Sequence, residues 1–274
     1  MKFSVLMSVY INDQADHFDR AMQSIWDEQE VKPNEIILIV DGPISSEIGF
    51  ILTAWTEKLQ DILKIYKLDQ NMGTGFAKKY GLERCSHGLV AIMDADDISL
   101  KSRFKKQLNC FKEKNIDVCG AWVGEFQDDE SIINSINKRP EKHDEIYVYS
   151  KSRIPVNHPT AMFKKQSVID AGGYSNNLPS CEDQYLFVKM LLNGARFYNI
   201  QESLLNMRVN NTLIEKRRSG WSHNLKEINA QIKFYQLGFL NKPQFLKNIV
   251  LGSLFRLMPK FIVKYLYRII RKYF

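Results

Sequence analysis

The chain's 274 residues are 45% hydrophobic and 25% charged, a composition that buries a full core and excludes disordered and fibrous classes. Its formal charge of +7 first suggests a polyanion partner, yet the nine basic residues that follow Glu227, the last acid, leave 29 of the 38 basic residues against 31 acidic ones, a body near −2. Nucleic acid is therefore not an expected partner, and the charge to explain lies in the tail.

From the N-terminus, short apolar runs alternate with helix-like stretches. FSVLMSVY (3–10) reads as a first strand and not as a leader, because polar residues follow at once and no small-residue cleavage site is present. A helical stretch at about 18–29 leads to EIILIV (35–40), one at about 45–60 to ILKIYKL (62–68), and one at about 74–86 to GLVAIMD (88–94). This alternation predicts βαβ units around a mostly parallel, Rossmann-like α/β sheet with helices on both faces. LKSRFKKQLNCFKEKN (100–115) has helical periodicity, DVCGAWVGEF (117–126) reads as a strand and DDES (128–131) as a turn. Residues 145–175 read as a loop with IPVNHPT, an apolar AMF and a Gly172-Gly173-Tyr174 turn, and EDQYLFVKMLLNGA (182–195) as an amphipathic helix closed by Gly194.

Beyond about residue 222 the pattern is helical without strands. In QFLKNIVLGSLFRLMPKFIVKYLYRIIRKYF (244–274), Arg256, Lys260, Lys264, Arg268 and Lys272 recur every four residues beside large aliphatic and aromatic side chains, with Pro259 as a kink or a new helix start. That is the composition of an interfacial membrane helix; packing on the body or on a second subunit, as in a homodimer, is the alternative. No window approaches the roughly 18 apolar residues of a spanning helix. The four cysteines, Cys85, Cys110, Cys119 and Cys181, form no C-x-x-C pair and no zinc-type cluster, which points to a reducing cytoplasm and not to a disulfide framework.

In open α/β sheets ligands bind beyond the carboxyl ends of the strands, so the residues just after those runs are candidates for chemistry. They are Ser8-Val9-Tyr10, Asp41-Gly42-Pro43 and Asp94-Ala95-Asp96-Asp97. Three carboxylates within four residues repel one another unless a cation or hydrogen-bond donors compensate, and hard oxygen ligands suit Mg²⁺ or Mn²⁺ shared with substrate phosphates. The competing reading is a solvated acidic turn that caps a helix starting near Leu100. A nucleobase stacked on Tyr10, with Asp41 accepting from a ring N–H, would bring a diphosphate to such a metal. Core packing for Tyr10 and a simple turn role for Asp41 are the alternatives.

FSVLMSVY, EIILIVDG, Asn71-x-Gly73 with Ala77-Lys78-x-x-Gly81, MDADD, HPTAMFKK (158–165), GGY (172–174) and EDQYLFVKML (182–191) occur in an order that resembles family 2 glycosyltransferases of the GT-A fold. The resemblance covers about 1–210 and is similar in kind to bacterial amylovoran and O-antigen repeat-unit enzymes. It implies a GT-A catalytic domain over 1–220; the composition beyond it gives a C-terminal segment, 221–274, of basic amphipathic helices that associates with a membrane or dimerises. It implies a donor site for a UDP-sugar with Ser8 and Tyr10 at base and ribose, Asp41 at the uracil, and Asn71, Lys78, Asp94, Ala95, Asp96 and Arg208 around the nucleotide. Asp96 would be the metal ligand for Mn²⁺ or Mg²⁺, with Asp97 as the alternative, and Asp183 the catalytic base. His158, Glu182, Arg217 and Arg218 are candidates for acceptor or phosphate contacts. Lys78 stands where Arg is common in the family, so a bidentate phosphate contact becomes a point charge.

The expected reaction is inverting transfer of a hexose, galactose in β-1,3 linkage being the best choice, to an undecaprenyl-diphosphate-linked sugar. The enzyme would then be cytoplasmic and peripheral on the inner face of the cell membrane. Two other readings stay open: a sugar nucleotidyltransferase, which calls for a Gly-rich loop that YINDQAD (10–16) does not contain, and a non-enzymatic peripheral membrane protein.

Overall fold

The computed structural model describes residues 1–175, 178, 181–209 and 221–257. Four runs of continuous apolar sequence become the parallel strands β1 (Phe3–Val9), β2 (Glu35–Val40), β3 (Leu63–Lys67) and β4 (Leu89–Asp94), in spatial order β3-β2-β1-β4. Every residue of β2 is buried, as a strand covered on both faces requires. The helices α1 (Ala15–Trp26), α2 (Ser46–Leu59) and α3 (Thr74–Arg84) supply the cover. Val5, Met7 and Val9 of β1 pack with Phe18, Met22 and Ile25 of α1 on one face. Leu6, Ile37 and Ile39 meet Ala77 and Leu82 of α3 on the other. A Cβ at Gly81 would stand 2.3 Å from Leu6 Cδ1, so the missing side chain lets α3 lie close on β1.

Beyond β4 come β5 (Ile98–Ser99), α4 (Arg103–Glu113), β6 (Val118–Phe126), β7 (Ser135–Asn137), α5 (His143–Ser150), β8 (Met162–Lys164), α6 (Lys165–Asp170), α7 (Glu182–Leu192) and β9 (Phe197–Arg208). The sheet continues β4-β8-β6-β9-β5, with β7 on β6. The parallel sheet expected from the βαβ pattern thus ends at β4: β8 pairs antiparallel to both β4 and β6, and β5 antiparallel to β9. The expected loop at 145–175 contains α5, β8 and α6. Strand β9 runs parallel to the whole of β6 through a bulge near Trp122, and its end reaches Ile98 and Ser99 just past the acidic turn.

Helices α8 (Trp221–Gln236) and α9 (Lys242–Leu257) follow. Ala230 and Phe234 of α8 and Phe239 and Leu240 of the following turn belong to the main core, and Phe234 stacks on Tyr185 of α7 at 6.4 Å between ring centroids. Lys151 Nζ donates to Phe239 O at 2.7 Å, and Asn248 Nδ2 donates to Lys151 O at 2.7 Å. The start of the C-terminal segment is therefore joined to the α/β body, while α9 leaves Leu246, Val250, Leu251 and Leu254 exposed. Among the described residues no helix is long and apolar enough to cross a membrane. The basic ladder from Lys260 to Lys272 lies outside the described residues.

Candidate active site

Register brings the strand ends together. Ser8 pairs with Ile39 and Asp94, Val9 with Val40, and Asp41 N donates to Val9 O at 2.8 Å. Ser8, Tyr10, Asp41 and Asp94 thus share one edge of the sheet. Tyr10 begins a turn closed by Asp13, whose carboxylate accepts from Tyr10 N at 2.9 Å. The Asp41 carboxylate accepts from Met72 N at 2.7 Å and Gly73 N at 3.0 Å, clamping the loop that holds Asn71 exposed above the edge. Gly42, at φ +87°, allows this approach, because a Cβ there would lie 2.6 Å from Asn71 N. Asp41 is thus a turn organiser, 4% exposed, with both carboxylate oxygens engaged by the loop.

The acidic turn is not a helix cap. Helix α4 begins at Arg103, and its N-cap Ser102 makes no side-chain capping bond. Asp97, only 2% exposed, accepts from Arg208 N at 3.1 Å. Arg208 Nε lies 3.4 Å from Asp96 O, and its guanidinium stands 4.6 Å over the Phe126 ring. Burial and the charges of Asp96 and Asp94 push the Asp97 carboxyl well above its ordinary range. Burial also disfavours the charged form of Asp94, but neighbouring cations, the Lys78 ammonium foremost and Arg103 among them, together hold that carboxyl below its ordinary value. Asp96 is the exposed member. Among the described residues no three His, Cys, Asp or Glu side chains form a closed metal cage. One exposed carboxylate beside a crowded acidic turn fits a hard divalent cation that takes its other oxygens from a diphosphate and water.

Behind the turn lies a row of buried polar groups. Lys78 Nζ stands 3.2 Å from Asp94 Oδ1 and 3.3 Å from His158 Nδ1, and His158 Nε2 lies 2.9 Å from the Tyr174 hydroxyl. Burial, and then the Lys78 charge, lower the His158 pKa to about 3, so the imidazole is neutral. Asp183 is in the first turn of α7, where Oδ1 accepts from Gln184 N at 2.7 Å. Burial and the neighbouring Glu182 charge push the Asp183 carboxyl up to about 6. Among the described residues Glu182 Oε2 is buried without a hydrogen-bond partner. Arg217 and Arg218 lie outside the described residues.

Three residues of this region carry no role in the sequence reading. Arg103 is completely buried, donating to Ile92 O at 2.7 Å and Gln107 Oε1 at 3.2 Å. Burial lowers its pKa to about 10, while Asp97 and Asp94 act in the opposite direction. Tyr174 was visible only as part of a turn. His17 lies on α1; burial and the Arg208 charge lower its pKa.

The family described as "Glycosyl transferase family 2" matches residues 4–172. A UDP-Gal:alpha-D-GlcNAc-diphosphoundecaprenol beta-1,3-galactosyltransferase of Escherichia coli is 38% identical over 99% of this chain and 98% of its own length. The amylovoran biosynthesis glycosyltransferase AmsE of Erwinia amylovora is 32% identical over 98% of this chain and 99% of its own. The crystal structure of S. aureus TarS 1-349 in complex with UDP-GlcNAc superimposes with a TM-score of 0.64 at 19% identity, covering 85% of this chain and 66% of that one.

Proposed function

This chain belongs to glycosyl transferase family 2, and we propose that it moves a hexose, galactose in the first instance, from a UDP-sugar to a lipid-linked sugar with inversion at the anomeric carbon. Membership in the family sets aside the nucleotidyltransferase and non-catalytic alternatives. The observation that carries the proposal is the meeting at one sheet edge of the acidic turn, the Asp41-clamped loop and the pair of buried Lys78 with half-buried Asp94.

In this reading the uracil stacks on Tyr10 beside Asp41 and Asn71, with Ser8 and Ala95 lining the nucleoside. Lys78 and Arg208 face the diphosphate. Mn²⁺ or Mg²⁺, held by Asp96 with Asp97 as an alternative ligand, would supply charge neutralisation for the leaving UDP. Asp183 accepts the proton of the acceptor hydroxyl as that oxygen attacks C1. The C1–O bond to the diphosphate breaks, and UDP departs from the opposite face with the bonding electrons. A carboxyl whose pKa lies near 6 is still largely ionised at neutral pH and is a stronger base than an ordinary aspartate.

The whole-chain likeness to an enzyme named for GlcNAc-diphosphoundecaprenol supports a lipid-diphosphate-linked acceptor and β-1,3 galactose transfer. Glu182, Arg217 and Arg218 are the residues we assign to the acceptor side. The exposed apolar stripe of α9 with Lys242 and Lys247 supports attachment to the inner membrane face, where such an acceptor would be presented.

The test is transfer from a panel of UDP-, GDP-, CDP- and TDP-sugars to a synthetic GlcNAc-diphospho-lipid, with and without Mn²⁺. Product from UDP-galactose that is lost in Asp183→Asn and Asp96→Ala supports the proposal. Transfer only from another nucleotide, or none to any diphospho-lipid acceptor, overturns it.

A further inference from the structure

We propose that His158 is a positioning residue for the donor site: it fixes Lys78 so that the ammonium's remaining N–H is presented to the anionic part of the nucleotide sugar. The proposal rests on the UDP-sugar reading above, and its test separates the two.

An ammonium on a four-carbon stem is a mobile point charge, and when buried it requires partners to fix its direction. Lys78 is 5% exposed, and its partners are Asp94 Oδ1 at 3.2 Å and His158 Nδ1 at 3.3 Å. Two of its three N–H directions are set by them, leaving one for a ligand. An ammonium can only donate, so Nδ1 is the lone-pair nitrogen of His158. The ring proton is therefore on Nε2, which donates to the Tyr174 hydroxyl at 2.9 Å.

The imidazole is the rigid side of this contact. Its ring meets Tyr174 edge-on at 5.9 Å and Phe187 at 5.9 Å. The turn that carries it is bound to β6 on both flanks: Asn157 Nδ2 donates to Ala121 O at 3.0 Å, and Thr160 Oγ1 accepts from Ala121 N at 3.0 Å. Without His158, Asp94 alone would draw the ammonium onto one carboxylate oxygen. Direct contact of His158 with phosphate or acceptor would need a free ring nitrogen, whereas both nitrogens are bonded within the protein and the residue is 5% exposed. His158 therefore acts through Lys78.

The experiment is a double-mutant cycle of His158→Phe and Lys78→Met, read by calorimetric UDP binding with Mn²⁺ and by the KM of donor and acceptor separately. His158→Phe keeps an aromatic ring against Tyr174 and Phe187 but removes the acceptor nitrogen. It is expected to weaken UDP binding and raise the donor KM by about 10- to 100-fold, with acceptor KM within twofold of wild type. In the Lys78→Met background the same change should have less than a threefold effect. His158→Gln, which offers an acceptor oxygen, should recover part of the loss and serves if the Phe variant does not fold. Unchanged UDP affinity in folded His158→Phe, additive effects in the cycle, or a rise confined to the acceptor KM would overturn the inference. Wild-type protein that binds no UDP would instead overturn the donor reading, and this inference with it.

Discussion

The guanidinium of Arg103 donates to the carbonyl of Ile92 at 2.7 Å, two residues ahead of Asp94 in the strand that carries the acidic turn. Its other polar contacts are Gln107 Oε1 and Met93 Sδ; among the described residues no carboxylate lies within 4.0 Å of this fully buried cation, which acts on Asp94 and Asp97 through space. Gln107 extends the network by donating to Cys119 O at 3.0 Å and Thr160 O at 2.7 Å, which joins β4, α4, β6 and the His158 turn.

Arg103→Met should therefore leave the Ile92 carbonyl and the Gln107 oxygen unsatisfied and remove the charge that balances the acidic turn. The expected loss is about 2–4 kcal/mol of unfolding free energy, seen as a lower urea midpoint at unchanged slope. Arg103→Lys keeps the charge but not the fork, and should lose less. A wild-type midpoint for Arg103→Met would show that the network contributes nothing.

Asp183 gives a pH prediction. With its pKa raised to about 6 by burial and by Glu182, the base is protonated on the acid side of that value. The catalytic efficiency should fall about tenfold per pH unit below 6 and level off above it. Glu182→Gln removes one of the charges that raise the pKa, so the acid limb should move to lower pH. Asp183→Asn should lower kcat by about 10²- to 10⁴-fold with UDP affinity retained. A limb that stays in place in Glu182→Gln would mean that another group controls it.

These predictions mix residues that the sequence made visible with residues that it did not, and the difference is physical. EIILIV and GLVAIMD announce themselves because strands covered on both faces are continuously apolar, and the carboxylates follow directly on such runs. FYNIQESLLNMR, which forms β9, alternates irregularly because the strand is bulged opposite Trp122 and exposed over Gln201 and Glu202, so no period marked it. β5 and β8, of two and three residues, are too short to carry a period. Arg103 lies in LKSRFKKQ, where Lys101 and Lys105 are exposed, and spacing alone does not tell the one buried cation from its solvated neighbours. His158 reads as a lone histidine until the fold brings Lys78 and Tyr174 to its two nitrogens.

Glu35 anchors the opposite end of the sheet and should report on stability without touching the site. Its carboxylate accepts from Ser4 Oγ at 2.7 Å, Lys64 Nζ at 2.7 Å, and Ser86 N at 2.8 Å. Burial opposes its ionisation, but those donors together lower its pKa from 4.5 to about 2. A folded-state value below the unfolded one stabilises the protein above pH 4.5, and the contribution is lost as pH falls from there toward 2. Glu35→Gln should lower the melting temperature at pH 7 by an amount equivalent to about 1–3 kcal/mol, with donor KM unchanged. The gap between wild type and variant should close below pH 4.5; a gap independent of pH would locate the effect in packing instead.

On α9, Leu246, Val250 and Leu254 lie four residues apart and are at least half exposed. Because little of their surface is covered by this chain, Leu246→Ser, Val250→Ser and Leu254→Ser together should leave the melting temperature within about 2 °C, as surface substitutions do. Each full apolar side chain transferred from water is worth about 1.5–3 kcal/mol, so even partial burial at a bilayer surface makes the triple variant bind vesicles at least tenfold more weakly. Lys242→Gln with Lys247→Gln should remove a salt-sensitive share, about 1 kcal/mol for each lysine near an anionic leaflet. Vesicles of neutral and anionic lipid, compared by co-sedimentation, separate the two contributions. If the triple variant still sediments with anionic vesicles but changes from dimer to monomer in ultracentrifugation, the stripe is covered by a second copy of the chain and not by lipid.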